Sequence, residues 1–182
     1  MTEIRNDDVL QAGNFSKDQV NKFSRKMPFL YFLEADEVFR KYNYPCTLAV
    51  LAEGIDKNWN WVDYIKRNQH RYKIELHGSS HLWYSKMTEE SGYNDLKQAK
   101  EKIENTFGIK ITTWYVPFGR SNIPEWGDRV CERLGIKMDR PIMKQLPYFW
   151  DKLPEGVQCN FHYWDKKQVK QIESIIKSIC KR

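Results

Sequence analysis

A chain of 182 residues, 41% of them hydrophobic, has material for one core, so a single domain spanning residues 1–182 is expected. No run reaches the roughly 18 consecutive apolar residues of a membrane span, and the opening MTEIRNDDVL lacks the regions of a secretory signal, so a soluble, cytoplasmic protein is expected. The net charge of +6 favours anionic partners, but the 30 Lys and Arg residues are spread along the chain and form no recognisable nucleic-acid-binding motif, so nucleic acid is not an expected partner.

In chain order the pattern alternates strand and helix. Residues 3–7 read as a short first strand, 30–42 as a helix with an apolar stripe through Leu30, Leu33, Val38 and Phe39, and 46–52 as a strand buried on both faces. Asn58 is placed to cap a helix through Trp61, Tyr64 and Ile65, and 72–76 reads as the next strand. A helix over 94–107 stops at Gly108, the β-branched and aromatic run 111–116 follows as a strand, and a helix over 124–134 has Pro124 in its first turn and Gly135 at its end. A short strand at 136–138 precedes a segment, 140–155, that Pro141, Pro147 and Pro154 break into loop with room for one short strand. A last strand at 157–161 leads to an amphipathic helix over 165–180 with Val169, Ile172, Ile176 and Ile179 on one face. The four cysteines, Cys46, Cys131, Cys159 and Cys180, form no CxxC pair and read as reduced, packed thiols.

Such alternation means an α/β fold with mostly parallel strands, open or closed into a barrel. Ligands of parallel α/β folds bind at the carboxyl ends of the strands, and four polar clusters fall there: Asp7-Asp8, His77, Pro117 to Arg120, and His162. The i, i+4 spacing of His77 and His81 places both imidazoles on one face if the segment makes a helical turn, close enough to share one ion. Two imidazoles and one carboxylate, with positions left open for water and substrate, make a hydrolytic metal site, and Asp8 can supply the carboxylate. Neighbouring strand residues point to opposite faces, so Asp7 and Asp8 enter one site only where the strand ends and the chain bends. Trp83, Tyr84, Trp114, Tyr163 and Trp164 flank these residues, either as sugar-stacking rings or as ordinary core.

These residues resemble the polysaccharide deacetylase family, carbohydrate esterase family four, in motif order. Asn6-Asp7-Asp8-Val9 resembles the paired-aspartate motif, Glu75 to His81 the HxxxH motif, Tyr115-Val116-Pro117-Phe118-Gly119 the third motif and Asn160-Phe161-His162 the closing one. The third motif departs at Tyr115, which stands where the family has an arginine that orients the catalytic base; Arg120 is a possible substitute for it. The family's aspartate-tryptophan motif has two candidate positions, Asp139 and Trp150-Asp151. The resemblance implies a distorted, incomplete (β/α) barrel. It implies that Asp8, His77 and His81 hold one divalent metal ion, zinc by default, that Asp7 is the general base, that His162 protonates the leaving amine, and that the backbone N–H of Phe118 helps stabilise the oxyanion. The implied activity is removal of N-acetyl groups from an amino-sugar or other glycan substrate. The alternative, motivated by Tyr115, is a catalytically impaired glycan-binding module on the same barrel.

Overall fold

The computed structural model describes residues 4–11, 27–139, 143–145, 158–162 and 166–180. Along the chain these form β1 (Ile4–Val9), α1 (Met27–Lys41), β2 (Cys46–Leu51), α2 (Trp59–Asn68), β3 (Tyr72–Gly78), α3 (Glu89–Phe107) and β4 (Thr113–Tyr115), then α4 (Gly127–Leu134), β5 (Lys137–Asp139), β6 (Met143–Gln145), β7 (Gln158–His162) and α5 (Lys166–Cys180). The expected α/β class with parallel strands is what the chain adopts. No helix among the described residues is long and apolar enough to cross a membrane.

The chain groups into two compact units, one of residues 1–7, 13–47 and 142–182, the other of residues 8–12 and 48–141. In the first, β1 pairs in parallel with β7, and β7 with β6, in a register that sets Ile4 opposite Cys159 and Asp7 opposite His162. Helices α1 and α5 pack together there. Of the expected stripe α1 buries Phe39, whereas Leu30 is 53% exposed and Leu33 and Val38 are half-buried; Tyr31, Phe32 and Ala35 complete the buried face. A face that adds the Tyr31 and Phe32 rings to Phe39 removes more area from water than one that adds Leu30, Leu33 and Val38. On α5 the expected Val169, Ile172 and Ile176 are buried and Ile179 is half-buried, while Ile175 joins the buried face.

In the second unit the strand order is β5-β4-β3-β2, with β3 and β4, and β4 and β5, paired in parallel. Strand β2 buries Leu48, Val50 and Leu51, and α3 buries Leu96, Ala99 and Ile103. Helix α3 starts five residues earlier than its apolar pattern suggests. Thr88 caps it by accepting from the Ser91 N–H at 3.3 Å, and Glu89 and Glu90 place negative charge in its first turn. Strand β4 is half its expected length, because carboxylates intercept the backbone donors before it. Ile111 N–H donates to Glu104 and Thr112 N–H to the buried Glu75, both at 2.9 Å. Helix α4 begins at Gly127, after Pro124 rather than around it. Asn58 does precede α2, but its side chain donates to Gly54 O at 3.0 Å instead of capping. Gly108 and Gly135 end α3 and α4 at φ 65°, the left-handed conformation their sequence positions called for. Cys46 and Cys131 are buried as expected, whereas Cys180 is exposed at the end of α5.

Candidate metal centre

Strand β1 reads IRNDDV and is buried throughout, which is costly for four polar residues unless they satisfy one another. Arg5 and Asp7, two apart on a strand, share a face. Their side chains are 7% and 6% exposed and meet in a two-point ion pair, Arg5 Nε to Asp7 Oδ1 at 2.5 Å and Arg5 Nη2 to Asp7 Oδ2 at 3.0 Å. The guanidinium on Asp7 therefore comes from two residues upstream. Arg120, the substitute that the third motif offered, is exposed. At Asp8 the backbone turns to φ 57°, and Leu10 follows at φ 65°, so the expected bend falls inside the strand's last residues. Aspartate tolerates this left-handed region better than most residues, which permits the bend without glycine.

Asp8, His77 and His81 converge: their ligand atoms all lie within 4.8 Å of one another, with Asp8 Oδ1 3.2 Å from His77 Nε2 and 3.1 Å from His81 Nε2. The route to this convergence differs from a helical turn. His77 belongs to β3, Gly78 swings the chain at φ 127°, and residues 79–81 form a bent loop that returns His81 beside His77. The glycine, not helical periodicity, makes the i, i+4 spacing productive, since an L side chain rarely adopts that φ.

The donor set suits a cation. His77 Nδ1 lies 2.7 Å from the Tyr115 carbonyl oxygen, which can only accept, so Nδ1 carries a proton and Nε2 is the ring nitrogen turned to Asp8, where its lone pair can serve as a ligand. A lone pair facing a carboxylate oxygen at 3.2 Å in a site where both side chains are 2% exposed repels unless positive charge lies between them. A proton can serve one imidazole, whereas a metal ion serves both. Ligand atoms about 2.0–2.2 Å from a zinc-like ion sit roughly 3.0–3.5 Å apart, which the two distances from Asp8 to the imidazoles match. An imidazole fixed through its other nitrogen by a backbone carbonyl is also the usual outer support of a histidine ligand.

Of the remaining sequence-derived residues, Phe118 is brought to the triad. Its backbone is left-handed at φ 59°, its ring is 43% exposed, and its centroid lies 4.1 Å from that of His81, edge to face. Trp83, equally exposed, stacks on Phe118 at 4.1 Å and 9°. Tyr84 and Trp114 are core instead: both are fully buried and meet each other edge to face. His162 ends β7 in register with Asp7. Asp139 ends β5, and Trp150, Asp151, Tyr163 and Trp164 lie outside the described residues.

Arg5 was missed by sequence reasoning although strand alternation pairs it with Asp7. Asn122 was missed for want of any signal. It is fully buried, donates to Leu82 O at 2.7 Å and Pro117 O at 3.0 Å, and accepts from Ser85 N–H at 2.9 Å, tying the His81 loop to the Phe118 loop.

The model of a family described as polysaccharide deacetylase matches residues 31–138, more than half of the chain. No curated protein matches by sequence. Among solved structures, a CE4 family pseudoenzyme from Bacillus anthracis superposes with a TM-score of 0.70 at 10% identity, covering 100% of this chain and 60% of that one. A family 4 carbohydrate esterase from Streptomyces lividans, in complex with acetate, gives 0.73 at 11%, with 99% and 88% covered. A family 4 carbohydrate esterase from Bacillus anthracis gives 0.73 at 14%, with 98% and 75% covered. At such identities the likeness is one of fold, and the chain spans about 60% of the length of the pseudoenzyme.

Proposed function

Because the chain belongs to the polysaccharide deacetylase family, we propose that it is a metal-dependent hydrolase that removes N-acetyl groups from an amino-sugar glycan. The observation that carries this reading is the meeting of two imidazole nitrogens and one carboxylate oxygen at Asp8, His77 and His81. These three residues hold one divalent ion, zinc by default, since imidazole and carboxylate accept zinc and several neighbouring metals. When bound, such an ion lowers the pKa of water towards about 7 and polarises a carbonyl.

The chain's own groups then divide the proton transfers. Asp7, oriented by its two-point pair with Arg5, accepts the proton of the attacking water. His162 donates a proton to the departing amine, a task suited to a group titrating near neutrality. The Phe118 backbone N–H faces the carbonyl oxygen as it takes on charge.

The reading of a non-catalytic glycan-binding module has one observation in its favour, the burial of Tyr115 where the family carries an arginine. The Arg5–Asp7 pair weighs against it, because the aspartate retains a guanidinium partner from another position.

Elemental analysis of the gel-filtered chain, reloaded with zinc and desalted, tests the site. About one ion per native chain, lost in Asp8→Ala and His77→Ala, is expected, with acetate released from N-acetylglucosamine oligomers by the native chain alone. A folded native chain that stays metal-free defeats the hydrolase reading; metal with sugar affinity but no acetate release favours the binding module.

A further inference from the structure

His77 is fixed by its strand and by the Tyr115 carbonyl, but His81 is carried on the bent segment after Gly78, and its side chain is 18% exposed. What holds that segment is found on helix α3. The Ser79 hydroxyl donates to Asp95 Oδ1, and the Ser79 N–H points to Asp95 Oδ2 at 3.4 Å. The Tyr84 hydroxyl donates to the same Oδ2 at 2.7 Å. One carboxylate thus bonds two residues before His81 and three residues after it. Each end has a second anchor: the Ser79 carbonyl accepts from Glu53 N–H at 2.8 Å, and the Tyr84 ring is fully buried against Trp114 with centroids 5.0 Å apart. Burial, with the Asp95 charge beside it, pushes the Tyr84 hydroxyl well above its ordinary pKa, so it stays protonated and able to donate. Gly78 fits the same arrangement, because a Cβ there would lie 2.2 Å from the Tyr84 hydroxyl oxygen.

We propose that Asp95 is a positioning residue for the metal centre, clamping the segment 79–84 from both sides so that His81 is held beside Asp8 and His77 before any ion arrives. The proposal rests on the metal-site reading above. It assigns Asp95 no contact with ion or substrate; its effect passes through Ser79 and Tyr84. A residue in that role affects metal affinity more than it affects folding, because without it the ordering of His81 must be supplied by the binding step.

The test is zinc affinity, by competition with a chromophoric chelator, for the native chain, Asp95→Ala and Ser79→Ala, with metal-free unfolding midpoints measured in parallel. Lys100→Ala, which removes an unrelated ion pair on the same helix, is the control. Asp95→Ala is expected to weaken zinc binding roughly 10- to 100-fold, Ser79→Ala by a smaller factor, and Lys100→Ala not at all. If Asp95→Ala does not fold, Ser79→Ala alone decides. Native affinity in the folded variants, whatever their midpoints, overturns the clamp and leaves the metal site standing. A native chain that binds no zinc overturns both.

Discussion

Replacing Arg5 by Met would leave the Asp7 carboxylate buried without its guanidinium. Breaking a buried pair by removing one partner costs about 3–5 kcal/mol, because the remaining charge keeps its desolvation penalty. Arg5→Met is therefore expected to lose stability on that scale in urea unfolding, whereas Arg120→Met, at an exposed position, stays within about 0.5 kcal/mol. Equal, small losses in both would mean that Arg5 does not hold Asp7. The contrast also marks what was legible at this scale. The convergence of Asp8, His77 and His81 could be read from residue type and order, because the proposed metal ligation restricts both. The partner of Asp7 was sought in the third motif, and Tyr115 there instead contributes its carbonyl to His77. Only the period of two along β1 pointed to Arg5, and a strand written IRNDDV hides that period by carrying polar residues on both faces.

The junction of β3 and its following loop depends on Gly78 twice over. Its φ of 127° strains any side chain, and a Cβ would approach the Tyr84 hydroxyl oxygen to 2.2 Å and Ser80 O to 3.2 Å. Gly78→Ala is expected to cost about 1–3 kcal/mol from the backbone alone, more with the displaced Tyr84, and to weaken zinc binding by dislodging the loop. A variant with native midpoint and native affinity would show that the loop reshapes freely. Elements elsewhere were legible where one local signal dominated: the glycine stops of α3 and α4 and the apolar face of α5. They were misread where a second interaction overrode propensity. Glu75 and Glu104 take the donors that would have extended β4, and the Thr88 cap starts α3 before its apolar stripe begins. Nothing in the sequence spacing announces a carboxylate 37 residues away as the partner of Thr112.

At the scale of the whole molecule, the alternation of strand and helix sufficed for the α/β class, and the motif order sufficed for the family. The grouping into two units was not legible, since their boundary passes through β1 between Asp7 and Asp8 and through β2 between Thr47 and Leu48, with no linker composition to mark it. That boundary makes a distinction that metal addition can read. All three proposed ligands belong to the unit of residues 8–12 and 48–141. Binding stabilises the folded state by about 2.7 kcal/mol at a ligand concentration of 100 times Kd, and it acts on whatever unfolds together with the site. In hydrogen exchange, zinc is expected to slow the amides of β3 and of residues 79–85 most, and those of α1 and α5 less, because local openings of the ligand-bearing unit are the ones the ion suppresses. Asp8→Ala should erase the effect throughout. Equal slowing in α5 and β3 would instead mean that the two units open only together, and that the division seen in the folded chain has no counterpart in its stability.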